Sequence, residues 1–442
     1  MNNLTTRQRK TAWFVAILVL LVPVVLLGMP AGNDGADSGG LLSDLRVRHD
    51  LGESKLGQID PTSATMNLLL LGLRGVAVNV LRMDLDDYKD RKEWAQMQAT
   101  TEAVITLQPH YIEVWRFLGW NLAYNVSAEW DSVPERFYWV KEGGKFIQRG
   151  TDRNSRNPEL KWETGRIWGH KIGMSDEWKQ FRRFFVSDPD TKRFKGEGDP
   201  QINPTGNRDN YLVGKDWFEK ASAAELNQDQ HIMMRALFRS YPAKSQIEYA
   251  NALQREGKFE GTTVSAWQES FRDWTQGFGK EEFRTIEGST VWMEANEDDI
   301  QEMASISGVS EATIREDLRF YQNVCNYLHW RVRCLAEKEE TMGLAHRLLH
   351  EGEQLYNQAE QEQARASFLK GLTRFETILT RREFQPLRLE DNLVEEIMWG
   401  ILLWRQTYLI LNLPVPANFP LKDLWDENQN KLPELQDKFN RL

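Results

Sequence analysis

The stretch 344–379, LAHRLLHEGEQLYNQAEQEQARASFLKGLTRFETIL, decides the fold. Its apolar residues recur at helical rather than alternating spacing. Leu344, Leu348, Leu355 and Tyr356 fall near one face of a first helix, and Ala364, Phe368, Leu372 and Phe375 near one face of a second. A short polar turn joins the two. Small residues stand where the helices must approach closely: Gly352 on the first, Ala364 and Gly371 on the second. One such pair cannot bury its apolar face alone, so the rest of the chain has to supply neighbours.

Outward from that pair, the chain offers them. Segment 112–125 (IEVWRFLGWNLAYN) carries Trp115, Leu118, Gly119 and Leu122 at helical spacing, with Pro109 ahead of it and a partner helix expected over 135–149. Further helices are expected over 94–107, 160–173, 245–255, 264–274 and 392–411, and one long aromatic-rich helix over 318–338. Gly214, Phe218 and Ala221 mark another second helix. Segment 187–210, rich in Asp, Pro, Gly and Lys, reads as a long surface loop, and 278–296 has no clear period. No stretch alternates in the manner of a strand.

The spacing Gly352, Leu355, Ala364, Phe368, Gly371 resembles a tetratricopeptide repeat. Glu376 stands where that pattern has its closing proline, and several loops are expanded. With the QPHYIEVWRFLGWNLAYN stretch, the Arg156-Asn157-Pro158 step and the late NYLHW, the chain resembles membrane-anchored tetratricopeptide-like proteins of planctomycete-type bacteria. That resemblance implies location and shape rather than chemistry. The expected fold is all-α, a tetratricopeptide-like helical repeat (α-solenoid) with one N-terminal transmembrane helix. It divides into an anchor at 1–31, a flexible tether at 32–63, divergent repeats over 64–295, and a C-terminal helical region over 296–442 that holds the clearest pair.

Segment 11–29, TAWFVAILVLLVPVVLLGM, is uncharged and near the minimum length for a membrane span. Arg7, Arg9 and Lys10 should hold its N-terminal side in the cytoplasm and send the remainder across the inner membrane into the periplasm. A cleaved signal peptide is the competing reading, but the run is long for one and no clean small-x-small site follows. The next residues, GNDGADSGG at 32–40, make a flexible tether. Segment 66–81 is apolar but broken by Arg74 and Gly75, which favours a buried solenoid helix over a second span.

The 442 residues carry a net charge of −10. An acidic surface repels phosphate backbones, so nucleic acid is not expected as a partner, although a local basic patch stays open. The 17 Trp are expected to fill helix interfaces. Cys325 and Cys334, in one expected helix, lie too far apart along it to bridge, and neither CxxC nor zinc-type spacing occurs. His346 and His350 have the i, i+4 spacing of metal ligands, but Arg347 stands where HEXXH needs Glu, and no third ligand is apparent. Asp84, Asp86, Asp87 and Asp90 lack the spacing and glycine of a calcium loop and read as a solvated helix face.

Segment 299–320 resembles a helix-turn-helix, with Thr313 and Arg315 on the would-be reading helix. Glu311, Glu316 and Asp317 on the same helix, and Ser310 as a ready N-cap, favour an ordinary capped helix instead. No catalytic, cofactor or metal residue is expected.

The function expected is a membrane-tethered, non-catalytic protein–protein interaction scaffold that takes a peptide or segment of an unidentified envelope protein in a solenoid groove. Arg116, Asn121, His346 and Glu353 are the candidate groove residues. The alternatives are an envelope enzyme with a site near His170 and the 187–210 loop, and, less favoured, DNA binding through 299–320.

Overall fold

The computed structural model describes residues 13–16, 19–20, 22–23, 74–226 and 234–441. The chain is predominantly helical. Among the described residues the only strands are Phe283–Arg284 and Thr290–Val291, an antiparallel pair with Phe283 opposite Val291. Contact density divides the chain into two compact units, Met1–Leu118 with Arg149–Ser155 and Gly119–Gln148 with Arg156–Leu442.

In the first unit, Arg74–Asp90 packs against Trp94–Leu107 over buried Val78, Leu85, Met97 and Val104. The Trp115 indole donates to the Pro109 carbonyl at 2.9 Å, and its ring lies so close to Gly150 that a Cβ there would come within 2.9 Å. Asn154 donates its amide to the carbonyls of Pro109 and Gly150, tying the proline turn to the end of the helix Val133–Arg153.

The second unit contains the 344–379 helix pair. Glu340–Asn357 and Gln361–Leu379 pack against each other along their length, and Ala359 at φ 64° reverses the chain between them. A Cβ on Gly352 would sit 2.7 Å from the Phe368 ring, so only glycine lets the helices cross there. Ala364 is fully buried and Gly371 lies against Leu349. Asp391–Ile410 packs on the second helix and completes an apolar core with Phe375, Ile397 and Trp404. A second close crossing joins Pro158–Arg166 to Asn210–Glu225, where a Cβ on Gly214 would lie 3.1 Å from the Gly165 carbonyl oxygen.

Several elements differ from expectation, each for a physical reason. Segment 112–125 is helix only over Ile112–Trp120 and then widens into a π-helical turn, Asn121–Val126. The same widening occurs at Ile167–Lys171 and Asp273–Gly277. The expected helix over 318–338 is two, Glu311–Cys325 and Tyr327–Glu337, broken where Asn326 takes φ 53°. Asparagine tolerates that left-handed conformation. The break sends the Tyr327 hydroxyl to Glu294, and the cysteines, buried and free, stand on separate helices.

The 187–210 segment is pinned rather than loose, because Asp188 and Asp199 are buried against Lys141 and Lys145. Segment 278–296 holds the small hairpin. In 299–320, Asn296 and Ser310 cap two successive helices while Ile314 and Leu318 enter the core.

Near the N-terminus, the described residues of segment 11–29 are helical, and Trp13, Phe14, Val19 and Leu20 are exposed. Among the described residues no helix is long and apolar enough to cross a membrane. The rest of the expected span and the whole 32–63 tether lie outside the described residues.

Candidate functional site

Of the four groove residues drawn from spacing, two lie in the interior. Arg116 belongs to the first unit, where it pairs with Glu113 at 3.2 Å. Asn121 is 1% exposed and accepts from the Asn125 amide at 2.6 Å. Glu353 accepts from the Trp399 indole at 3.0 Å. His346 is 3% exposed. Asn121 and His346 are therefore interior residues and not groove residues, which corrects their expected placement. On the helix Glu340–Asn357 the inward stripe is Met342, Ala345, His346, Leu349 and Gly352, one position round from Leu344 and Leu348.

His346 instead centres a closed charge network. Its Nδ1–H donates to Glu396 at 2.7 Å and its Nε2–H to Glu337 at 3.1 Å. Glu337 also accepts from Arg333 at 2.7 Å and from Gln254 at 2.9 Å, and Arg333 donates on to Glu390 at 2.5 Å. Burial alone would push the imidazole pKa down, but Glu396 and Glu337 outweigh it and raise it to about 10. Burial likewise would raise the Glu337 carboxyl, but Arg333 and then His346 lower it to about 2. His346 is a permanent imidazolium at neutral pH, and the network joins four helices rather than presenting a reactive group. Among the described residues no three His, Cys, Asp or Glu side chains are placed to hold a metal ion.

One turn further along the same helix, His350 and Gln354 reach a different place, a cleft of about 600 Å³ in the second unit. Its main wall is the helix Trp178–Val186, WKQFRRFFV, which turns Phe181 and Phe185 into the core and leaves Lys179 and Arg183, four residues apart, on the open side. Arg182 is the floor, 5% exposed. Its Nε donates to Glu256 at 2.7 Å, its Nη2 to Asp209 at 2.9 Å and its Nη1 to Asn210 at 2.7 Å. Both lining carboxylates are thus bound to one guanidinium, and Glu256 also receives Lys258 at 2.8 Å. Burial lifts the Asp209 carboxyl. It would lift Glu256 too, but the hydrogen bonds from Lys258 and Arg182 lower it.

The far wall begins where the helix Tyr241–Arg255 ends. Arg255 stacks its guanidinium 4.0 Å above the Trp178 ring, with one nitrogen 3.7 Å from the Met174 sulfur. Gly257, at φ 76°, turns the chain back, and a Cβ there would lie 2.8 Å from His350 Nε2. Among the described residues Lys179, Arg183 and Arg255 form no close ion pair, although burial raises the Glu248 carboxyl and the charge of Arg255 works against that rise. Five cations therefore face two carboxylates, a surplus of three positive charges in a chain whose net charge is −10.

The cleft is not among the sites expected from the sequence. Its signals were the KQFRR run at 179–183 and the RxxK step at 255–258, but only the fold brings segments 76 residues apart to one opening. His170, the residue named for an enzymatic site, is exposed on its π-helical turn, where partial burial and then Arg166 and Lys171 lower its pKa. The buried carboxylates of 187–210 go to Lys141 and Lys145, not to His170. Arg315, the would-be base-reading residue of 299–320, is tied to Glu297 and Glu311. No protein-family model matches the chain, and no curated protein is significantly similar to it.

Proposed function

We propose that the chain is a membrane-tethered, non-catalytic scaffold that holds an anionic segment of an envelope partner in the cationic cleft. The observation that carries this reading is the unpaired state of Lys179, Arg183 and Arg255 around a cleft in an acidic protein. Charges that a fold uses for itself are matched by opposite charges, whereas a surplus at an opening favours association with a partner of opposite sign. The packed helix pairs of the second unit support a tetratricopeptide-like solenoid as the frame. The uncharged 11–29 stretch with its basic flank supports a single span of the inner membrane and a periplasmic position for the rest.

The test is co-purification of the full chain in detergent with its partner, before and after Lys179→Glu with Arg183→Glu. The partner is expected to be lost on charge reversal and to elute with rising salt. Retention by the charge-reversed chain, or turnover of a substrate by the purified protein, contradicts the reading. Reporter fusions at the C-terminus test topology separately: an active cytoplasmic reporter and an inactive periplasmic one would overturn it.

A further inference from the structure

The surplus charge of the cleft also bears on which anion it takes. We infer that the ligand group is a phosphate monoester in its dianionic form, an inference that rests on the cleft being a ligand site. The floor takes no part in ligand charge balance, because Asp209 and Glu256 are both committed to Arg182. Apart from Lys258, which is paired with Glu256, what faces the opening is the Lys179 ammonium and the guanidinium groups of Arg183 and Arg255. A carboxylate brings one charge and two oxygens. A phosphate monoester brings close to two charges and three acceptor oxygens, a better match to three cations drawn from two helices.

Arg255 is held in advance by the Trp178 ring, so its planar fork is presented without being ordered at binding. Lys179 and Arg183 sit at i, i+4 on one helix, a like-charge arrangement that works against the unliganded fold and that a dianion relieves.

The experiment is calorimetry on the full chain in detergent micelles with three probes: a blocked Gly-phosphoserine-Gly peptide, the same peptide with Glu, and glycerol phosphate. The phosphate probes are expected to bind, with affinity rising about tenfold between about pH 5 and about pH 7.5 as the second phosphate proton, of pKa about 6, is lost. The Glu peptide is expected to bind more weakly and without that rise. The charged groups facing the site are Lys179, Arg182, Arg183, Arg255, Lys258, Asp209, Glu256 and His350. His350→Asn should leave the rise in place.

Tighter binding of the phosphopeptide than of glycerol phosphate supports a phosphorylated polypeptide as the source. Equal binding supports a free phosphate ester. Lys179→Ala and Arg183→Ala are each expected to weaken phosphate binding about tenfold without lowering the melting temperature. Equal, pH-independent binding of the Glu peptide overturns the phosphate inference and leaves the anion-binding cleft standing. Absence of binding by all three probes, unchanged by either variant, overturns both.

Discussion

The network around His346 and the cleft beside His350 lie one helical turn apart and treat charge in opposite ways. In the network every charge has a partner: His346 sits between Glu337 and Glu396, and Arg333 between Glu337 and Glu390. In the cleft the partners run out after Arg182 and Lys258, and three cations stand over. Burial explains the contrast. An unpaired ion costs several kcal/mol inside a protein, so the interior accepts charge only in closed sets. At an opening water carries the penalty, and an unmatched set persists for a ligand to complete. The difference teaches that charged residues on one helix divide into those that hold the fold and those held ready by it.

The largest expected effect breaks the closed set. His346→Leu leaves Glu337 buried with its imidazolium partner gone, and should cost about 3–5 kcal/mol in denaturant unfolding. A loss below 1 kcal/mol would mean that the network is not the clasp described. Next comes the helix crossing that supports both regions. Ala364 is fully buried, so Ala364→Leu should overpack the crossing and cost about 1–3 kcal/mol, read from the same unfolding curves.

A pH series sharpens the comparison further. The raised pKa of His346 adds stability that is complete below the ordinary histidine value and is lost as pH rises toward about 10. Between about pH 7 and about pH 9 the difference between the parent chain and His346→Gln should shrink, on the order of 1 kcal/mol per pH unit. Glu337 acts in the other direction. Its depressed pKa adds stability present above the ordinary glutamate value and lost as pH falls toward about 2. A parent-to-variant difference that stays constant from pH 7 to 9 would mean that His346 is neutral in the fold.

Much of the helical frame was legible because it depends on local spacing. Gly352, Ala364 and Phe368 stand at their crossing as the repeat-like spacing requires, and the helix expected over 94–107 forms as Trp94–Leu107. What escaped depends on single residues that spacing treats as ordinary. Asn326 breaks a helix whose apolar period runs straight through it. The π-helical turns at Asn121–Val126 and Ile167–Lys171 shift the faces of the residues around them. The stripe expected on the second helix of the 344–379 pair is the buried one, whereas that of the first missed by one position, enough to place His346 on a groove when its ring is buried. The cleft was not legible at all, because Lys179, Arg183 and Arg255 look like solvated charges until Asp209 and Glu256 are seen to be spent on Arg182.

The smallest expected effect is the most direct test of the central claim that the cleft cations stand outside the charge pairing of the fold. It is the melting temperature of Lys179→Ala with Arg183→Ala against the parent chain, without ligand and at low salt. The double variant should melt at the same temperature or slightly higher, since a like-charge pair is removed and no ion pair is lost. A clear drop in melting temperature would show that these cations serve the fold after all and would contradict the account.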